Sequence, residues 1–277
     1  MKFAKVALAI SGVTLSLVAG ISPATAMGNA FTEPLSSHLP RVATDYKLRH
    51  PDDYIGLEKV IVANGGSRVS FAIGERAGLS AQAAQALHNQ AAVERKESSP
   101  FGIMDLPRDI FEVDGYAYYA KDSNDPKIEY WFFNGSWNFR DNFIGTGAPG
   151  DASGIGAAVP NCWAWAGEAI AAQDYEGNSY PVKHFARQNA GVTATLWDIE
   201  DRTSGFKMLM DHGGTQLAFK RTKPGCEGEA LQARYYYEHN QGGDGSWGFS
   251  ISLFGMALSY TSSPLKLQKA TGVLSSI

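Results

Sequence analysis

Ile128-Glu129-Tyr130-Trp131-Phe132-Phe133-Asn134-Gly135-Ser136-Trp137-Asn138-Phe139 decides the fold class. Aromatic residues crowd this stretch, and they favour the pleated, half-buried surface of a strand. Asn134-Gly135 at its centre suits a type I′ turn, whose two central residues both need positive φ. The stretch therefore predicts a hairpin with arms Ile128–Phe133 and Ser136–Ile144. Upstream, Phe111–Ala120 alternates loosely, and Asp122-Ser123-Asn124-Asp125-Pro126 reads as a turn. Downstream, strand patterns recur at Val182–Arg187, Val192–Ile199, Phe206–Met210, Thr215–Lys220, Ala230–Glu238 and Trp247–Tyr260. Gly145–Gly156 reads as a loop of small residues, and Asn161–Gln173 as a helix. The last strand pattern sits inside Ser246–Pro264, which carries no charge. Its apolar phase slips near Leu253 with no turn signal. One long strand bent by a bulge is expected.

The pattern differs toward the N-terminus. Residues 27–54 carry Pro34, Pro40 and Pro51 without clear periodicity and read as an irregular lead-in. Leu57–Ala63, Asn64-Gly65-Gly66-Ser67 and Arg68–Ile73 read as a second hairpin. Ser80 caps an alanine-rich helix from Ala81 to about Glu97, with Leu79, Ala83, Leu87 and Ala91 on one stripe. Ser98-Ser99-Pro100 reads as a linker. The expectation is a mainly β (α+β) protein. An antiparallel β-sandwich-like domain, 100–277, has one or two helices and is preceded by a small mixed part, 27–99.

Residues 1–26 predict the compartment. Lys2 and Lys5 precede an apolar run from Val6 to Ile21, and Ala24-Thr25-Ala26 supplies the small-x-small pattern of a signal-peptidase site. The apolar run is shorter than the ~20 residues a spanning helix needs. A secreted, extracellular protein with no transmembrane span after cleavage is expected. Without this leader, 22 Lys and Arg face 28 Asp and Glu, a net charge of −6. That excludes the basic footprint of a nucleic-acid binder. In an oxidising compartment Cys162 and Cys226 are expected to form a disulfide, worth about 4 kcal/mol by loop closure. Asn134-Gly135-Ser136 also matches a glycosylation sequon.

Chemistry-bearing patterns are sparse. Cys162-Trp163-Ala164, at the head of the expected helix, resembles the start of the nucleophile helix in papain-like cysteine proteases. That resemblance implies a Cys162 thiolate with His212 as its base, although Pro160-Asn161 replaces the Gly-Ser that precedes the cysteine there. Asp211-His212 and Glu238-His239 each set a carboxylate beside an imidazole. Adjacent strand residues point to opposite faces, which counts against such pairs. Asp198 and Glu200 share a strand face, as paired carboxylates of a glycoside hydrolase must. His38, His50, His88, His184, His212 and His239 show no zinc-motif spacing, so neither a metal nor a cofactor is expected. Tyr130, Trp137, Tyr235, Tyr236 and Tyr237 are the candidates for an aromatic binding surface on the strands.

These patterns favour a secreted binding or interaction module with an aromatic-rich β surface, facing an extracellular glycan or protein. A secreted hydrolase acting on glycan or peptide is the alternative, with Cys162, His212, Asp198 and Glu200 as candidate catalytic residues. A membrane-active β protein, using the uncharged C-terminal segment, is the further alternative.

Overall fold

The computed structural model describes residues 38–95, 111–139, 150–188, 192–199, 203–204, 207–224, 230–240, 247–252, 255–260 and 266–276. The signal segment, the Ser98–Pro100 linker, Glu200 and Cys226 lie outside them. In chain order the first elements are α1 (His38–Arg49), α2 (Tyr54–Ala63), β1 (Gly66–Ile73), β2 (Arg76–Leu79), α3 (Ala81–Arg95), β3 (Phe111–Lys121) and β4 (Glu129–Phe139). There follow β5 (Asp151–Ala158), β6 (Trp163–Gln173), β7 (Ser179–Tyr180), β8 (Lys183–Gln188) and β9 (Val192–Ile199). The remaining strands are β10 (Thr203–Ser204), β11 (Lys207–Met208), β12 (His212–Arg221), β13 (Gln232–Asn240), β14 (Trp247–Ser252), β15 (Gly255–Tyr260), β16 (Lys266–Ala270) and β17 (Leu274–Ser275).

Among the described residues the protein is mainly β, with two main antiparallel sheets, two further two-stranded pairs and three helices. The large sheet runs β2-β1-β3-β4-β12-β6-β7, and the small one β16-β13-β5-β9-β8 with β17 also on β13. β1 pairs with β3, which joins the N-terminal part to the large sheet. Between the sheets lie Phe111, Trp131, Phe133, Trp137, Phe219, Ile155, Trp197, Tyr235 and Tyr237. The other face of the large sheet offers Tyr116, Tyr118, Phe132 and Ala218 to Leu39, Ala43, Tyr54, Leu57, Ile61, Ala81 and Ala84 of the helices. The large sheet is thus covered on both faces. This explains why even the polar positions of its central strands, Glu112, Asp114, Asn134, Ser136 and Asn138, are buried.

That double burial corrects the hairpin expected at Asn134-Gly135. β4 runs unbroken from Glu129 to Phe139, paired along its length with β3 and β12. The reversal lies at Asp122–Pro126, as the sequence predicts, where Asp122 Oδ1 accepts the Asn124 and Asp125 amides. β5 likewise takes the second half of the expected Gly145–Gly156 loop. Its small residues suit a central strand pressed between β9 and β13.

Asn161–Gln173 is not a helix. From Trp163 it forms β6, laddered with β12. Sheet pairing overrides alanine's helix propensity here, and Gly167 weakens a helix further. The reverse correction applies to Leu57–Ala63, which forms nearly two turns of α2. The Asp53 carboxylate accepts the Gly56 amide at 2.8 Å as an N-cap. Tyr54, Leu57 and Ile61 face inward at helical spacing, outweighing the β-branched residues. Gly65, at φ +90°, ends the helix, and the hairpin is β1 with β2. The expected lead-in contains α1, in which Pro40 occupies the first turn, where no intrahelical bond is lost. Ser80 does cap α3, its Oγ accepting the Ala83 amide at 3.2 Å. The inward stripe is Ala81, Ala84 and His88, however, and Ala83 is exposed.

β14 and β15 correct the single bent strand. They form an antiparallel pair from Trp247↔Tyr260 to Ser252↔Gly255. The phase slip is therefore a chain reversal, and the membrane-active alternative loses the objection that no turn divides the segment. Among the described residues no helix is long and apolar enough to cross a membrane.

Asp53 gives a pH-dependent prediction. The Tyr46 hydroxyl at 2.6 Å, then the Gly56 amide, hold its carboxyl below the usual carboxylate range. Because the folded pKa is depressed, its stabilisation is present above the ordinary value near 4 and is lost as pH falls through the depressed one. Asp53→Ala is expected to cost about 1 kcal/mol at neutral pH, as for a lost N-cap. Urea titrations of both proteins should converge below about pH 3; a difference that persists there means the cap acts without its charge.

Candidate functional site

A cavity of about 850 Å³ opens between α1 and the large sheet and continues round β6. Alternate residues of a strand share a face, and three strands in register set out its floor in rows. Glu112, Asn138 and His212 form the first row, Asp114, Ser136 and Gly214 the second, and Tyr116, Asn134 and Gln216 the third. On β6, Ala169, Ala171 and Gln173 continue the rows. Small side chains there leave volume for the cavity. Arg41, Thr44, Lys47 and Leu48 of α1 line the facing side.

The polar side chains of this floor are buried and interlocked. Asp114 accepts from Lys47 Nζ, from the Tyr54 hydroxyl at 2.7 Å and from Ser136 Oγ. Gln216 Nε2 donates to Asn134 Oδ1 at 2.6 Å, while Gln216 Oε1 has no partner. Asp211 Oδ1 lies 3.0 Å from His212 Nδ1, and both residues are buried. Burial pushes the Asp211 carboxyl above the usual range against the pull of the imidazole.

Beyond β6 the lining passes to the inter-sheet side. There Glu168 meets the half-exposed His184, Oε1 to Nε2 at 3.3 Å. The His184 ring stands edge-on to Trp197, and Trp137 and Thr215 complete this lobe. Trp197 Nε1 and Thr215 Oγ1 are buried without partners.

One group has a cation-type donor set. Asp52, His88 and Glu112 each place a ligand atom within 4.8 Å of the others. Nδ1 of His88 faces Glu112 at 3.2 Å and Nε2 faces Asp52 at 3.7 Å. Each ring nitrogen thus already meets a carboxylate, so a metal could bind only by breaking one of these pairs.

Of the residues singled out in the sequence, His212 and Trp137 line the cavity. Cys162 does not: it is disulfide-bonded and stands at the start of β6, whereas His212 pairs with Gln173 at its far end. Ten strand positions, about 30 Å, separate the two, and no helix follows Cys162. This removes the thiol–imidazole pair. Cys226 lies outside the described residues. Asp198 is half-buried on β9 and does not line the cavity, and Glu200 is not described. The expected tyrosine surface is buried: Tyr235 and Tyr237 completely, Tyr236 at 9% exposure, with Tyr130 half-covered beside the helices. Among the described residues the exposed large apolar side chains are Val62, Tyr175 and Val273, on separate elements. His239 is also internal, Nδ1 2.9 Å from Asp151 and fully buried.

Asn138, Ser136, Asp114, Lys47, Glu168 and His184 line the cavity without being among the catalytic or binding candidates that the sequence offers. The readable sign was polar residues at every second position of two successive aromatic strands, Glu112 and Asp114, then Asn134, Ser136 and Asn138.

No family model matches the chain, and no curated protein does. Among solved structures it is similar to AvmM, which catalyses macrocyclization in alchivemycin A biosynthesis. The identity is 8% over 52% of this chain and 79% of that one, with a TM-score of 0.22. A likeness that distant carries no argument about function.

Proposed function

We propose that this protein is an exported binding protein that encloses a small polyhydroxylated ligand, of the saccharide class, in the cavity on the large sheet. The three polar rows carry the reading. Amides, carboxylates and a hydroxyl converge there from three strands, under a helix, in a space sized for a small molecule. Gln216 lines this space, and its amide fixes the third row by donating to Asn134 Oδ1. The recognition surface is thus internal, and the buried tyrosines of β13 serve packing.

Trp137 and Trp197 line the cavity, so tryptophan fluorescence reports its occupation. Titration with a set of mono- and disaccharides is expected to give saturable quenching by at least one of them. Gln216→Met should weaken that binding about tenfold, the worth of one well-placed hydrogen bond, while Tyr236→Ala should leave it unchanged. No saturable response to any sugar, or equal binding by Gln216→Met, overturns the reading.

A further inference from the structure

We propose that His212, held by Asp211, is a general base that hydrolyses an ester group on the enclosed ligand, with Asn138 receiving the developing oxyanion. This rests on the ligand-enclosing reading and adds a reaction to it.

The first support is backbone geometry. Adjacent strand residues diverge, yet here Asp211 bonds the ring of its own neighbour. Asp211 precedes β12, and Met210 before it takes φ +56°, a left-handed conformation that is strained for a non-glycine residue. Two bonds hold this turn in place. Trp137 Nε1 donates to the Met210 carbonyl at 3.1 Å, and the Phe139 amide to the Asp211 carbonyl at 2.7 Å. The strained turn aims the carboxylate at Nδ1 and leaves Nε2 as the ring's remaining nitrogen, in a residue that lines the cavity.

The second support is how the neighbours are fixed. Asp211 Oδ2 accepts the Tyr175 amide at 3.3 Å, so both carboxylate oxygens are engaged. The Tyr175 ring lies over the imidazole with centroids 5.6 Å apart. Its hydroxyl donates to Asn138 Oδ1 at 3.4 Å. Asn138 stands directly across β4 from His212, where facing Cβ atoms lie about 5 Å apart. With Oδ1 taken up by Tyr175, the Nδ2 hydrogens are the donors that Asn138 has left on this row of the floor. Base, orienting carboxylate and oxyanion donor thus surround one point of the floor, the arrangement acyl transfer to water needs.

In the step, Nε2 takes a proton from a water molecule as its oxygen attacks the acyl carbon. The carbonyl electron pair moves to oxygen, where Asn138 Nδ2 donates to it. Collapse of the tetrahedral intermediate breaks the ester C–O bond, and the imidazolium returns its proton to the leaving alkoxide. The products are a carboxylic acid and the ligand alcohol. Asp211 is a positioning residue that holds the ring's tautomer and balances the imidazolium.

The test uses the full secreted chain with 4-nitrophenyl acetate and glucose pentaacetate, reading nitrophenolate and acetate release. His212→Gln is expected to lower kcat by about 10²–10⁴-fold, the range for general-base catalysis. Asn138→Ala should lower it about 10²–10³-fold, as for a lost oxyanion donor. In His212→Gln the loss should fall on kcat far more than on KM, and saccharide quenching of tryptophan is read on the wild-type protein. If His212→Gln fails to fold by circular dichroism, Asp211→Asn, which keeps the shape, is expected to show the same loss of kcat. Hydrolysis by His212→Gln at the wild-type rate, or none by the wild-type protein on either ester, overturns the dyad. Saccharide binding retained in those cases leaves the binding reading standing; its absence overturns both.

Discussion

A single methyl group at Gly135 is expected to cost the fold about 3 kcal/mol or more, the upper end of overpacking effects. Gly135 sits in the middle of β4, on the face turned to the small sheet. A Cβ built there falls inside van der Waals contact with Tyr235 Cγ and Cδ2 and lies 2.6 Å from Tyr235 Cβ. The tyrosine has nowhere to retreat. It is fully buried, its hydroxyl bonds Ser153 Oγ at 3.1 Å, and its amide donates to Thr271 Oγ1 at 3.1 Å. Its backbone is laddered to Ile155. Accommodation therefore means pushing the sheets apart. Urea unfolding of Gly135→Ala checks this, and Gly135→Ala with Tyr235→Ala should recover part of the loss if the ring is the obstacle. A loss below 1 kcal/mol in the single variant means the ring stands off from β4.

The same glycine shows why part of the fold was legible and part was not. Asn134-Gly135 carries turn chemistry, but each residue answers to a partner far away. Gly135 makes room for a ring one hundred positions on, and Asn134 bonds Gln216 across the cavity floor. Such demands come from register, which one strand's sequence does not contain. Strands bounded by local signals, such as Val192–Ile199, were readable because alternation and β-branching are local. α2 takes its helical phase from the Asp53 cap and Tyr54, which precede the β-branched run Leu57–Ala63 that by itself has a strand's composition. At the site, Asp211-His212 was visible as a pair, but its strength depends on the left-handed turn at Met210, which composition does not announce. The aromatic residues were correctly placed on strands and assigned to the wrong environment. Helices cover the second face of the large sheet, so a strand rich in rings and amides is buried on both sides.

Asp114→Ala is expected to cost 3–5 kcal/mol, the range for breaking a buried ion pair by removing one partner, and to abolish ligand binding as well. Asp114 is 5% exposed and Lys47 6%. Besides Asp114, the Lys47 ammonium bonds the Pro51 carbonyl at 2.5 Å and lies 4.5 Å from the Tyr54 ring centroid. Neither of these can balance a buried charge once the carboxylate is gone. Burial, then the Asp114 and Glu112 carboxylates, push the Tyr54 phenol well above its ordinary pKa. Tyr54 therefore remains a neutral donor, and its hydroxyl loses its acceptor in the variant. Lys47 belongs to α1 and Tyr54 to α2, so one carboxylate on β3 docks both helices over the cavity. Amides of α1 and α2 should exchange with deuterium faster in Asp114→Ala than amides of β4 and β12. Replacing both partners, Lys47→Met with Asp114→Leu, should restore most of the stability, because an apolar pair of similar size avoids both desolvation costs. It should not restore saccharide binding, since the second polar row would remain broken. A single variant that unfolds within 1 kcal/mol of wild type, or a double variant that binds sugar normally, would place the helices' anchor and the ligand's elsewhere.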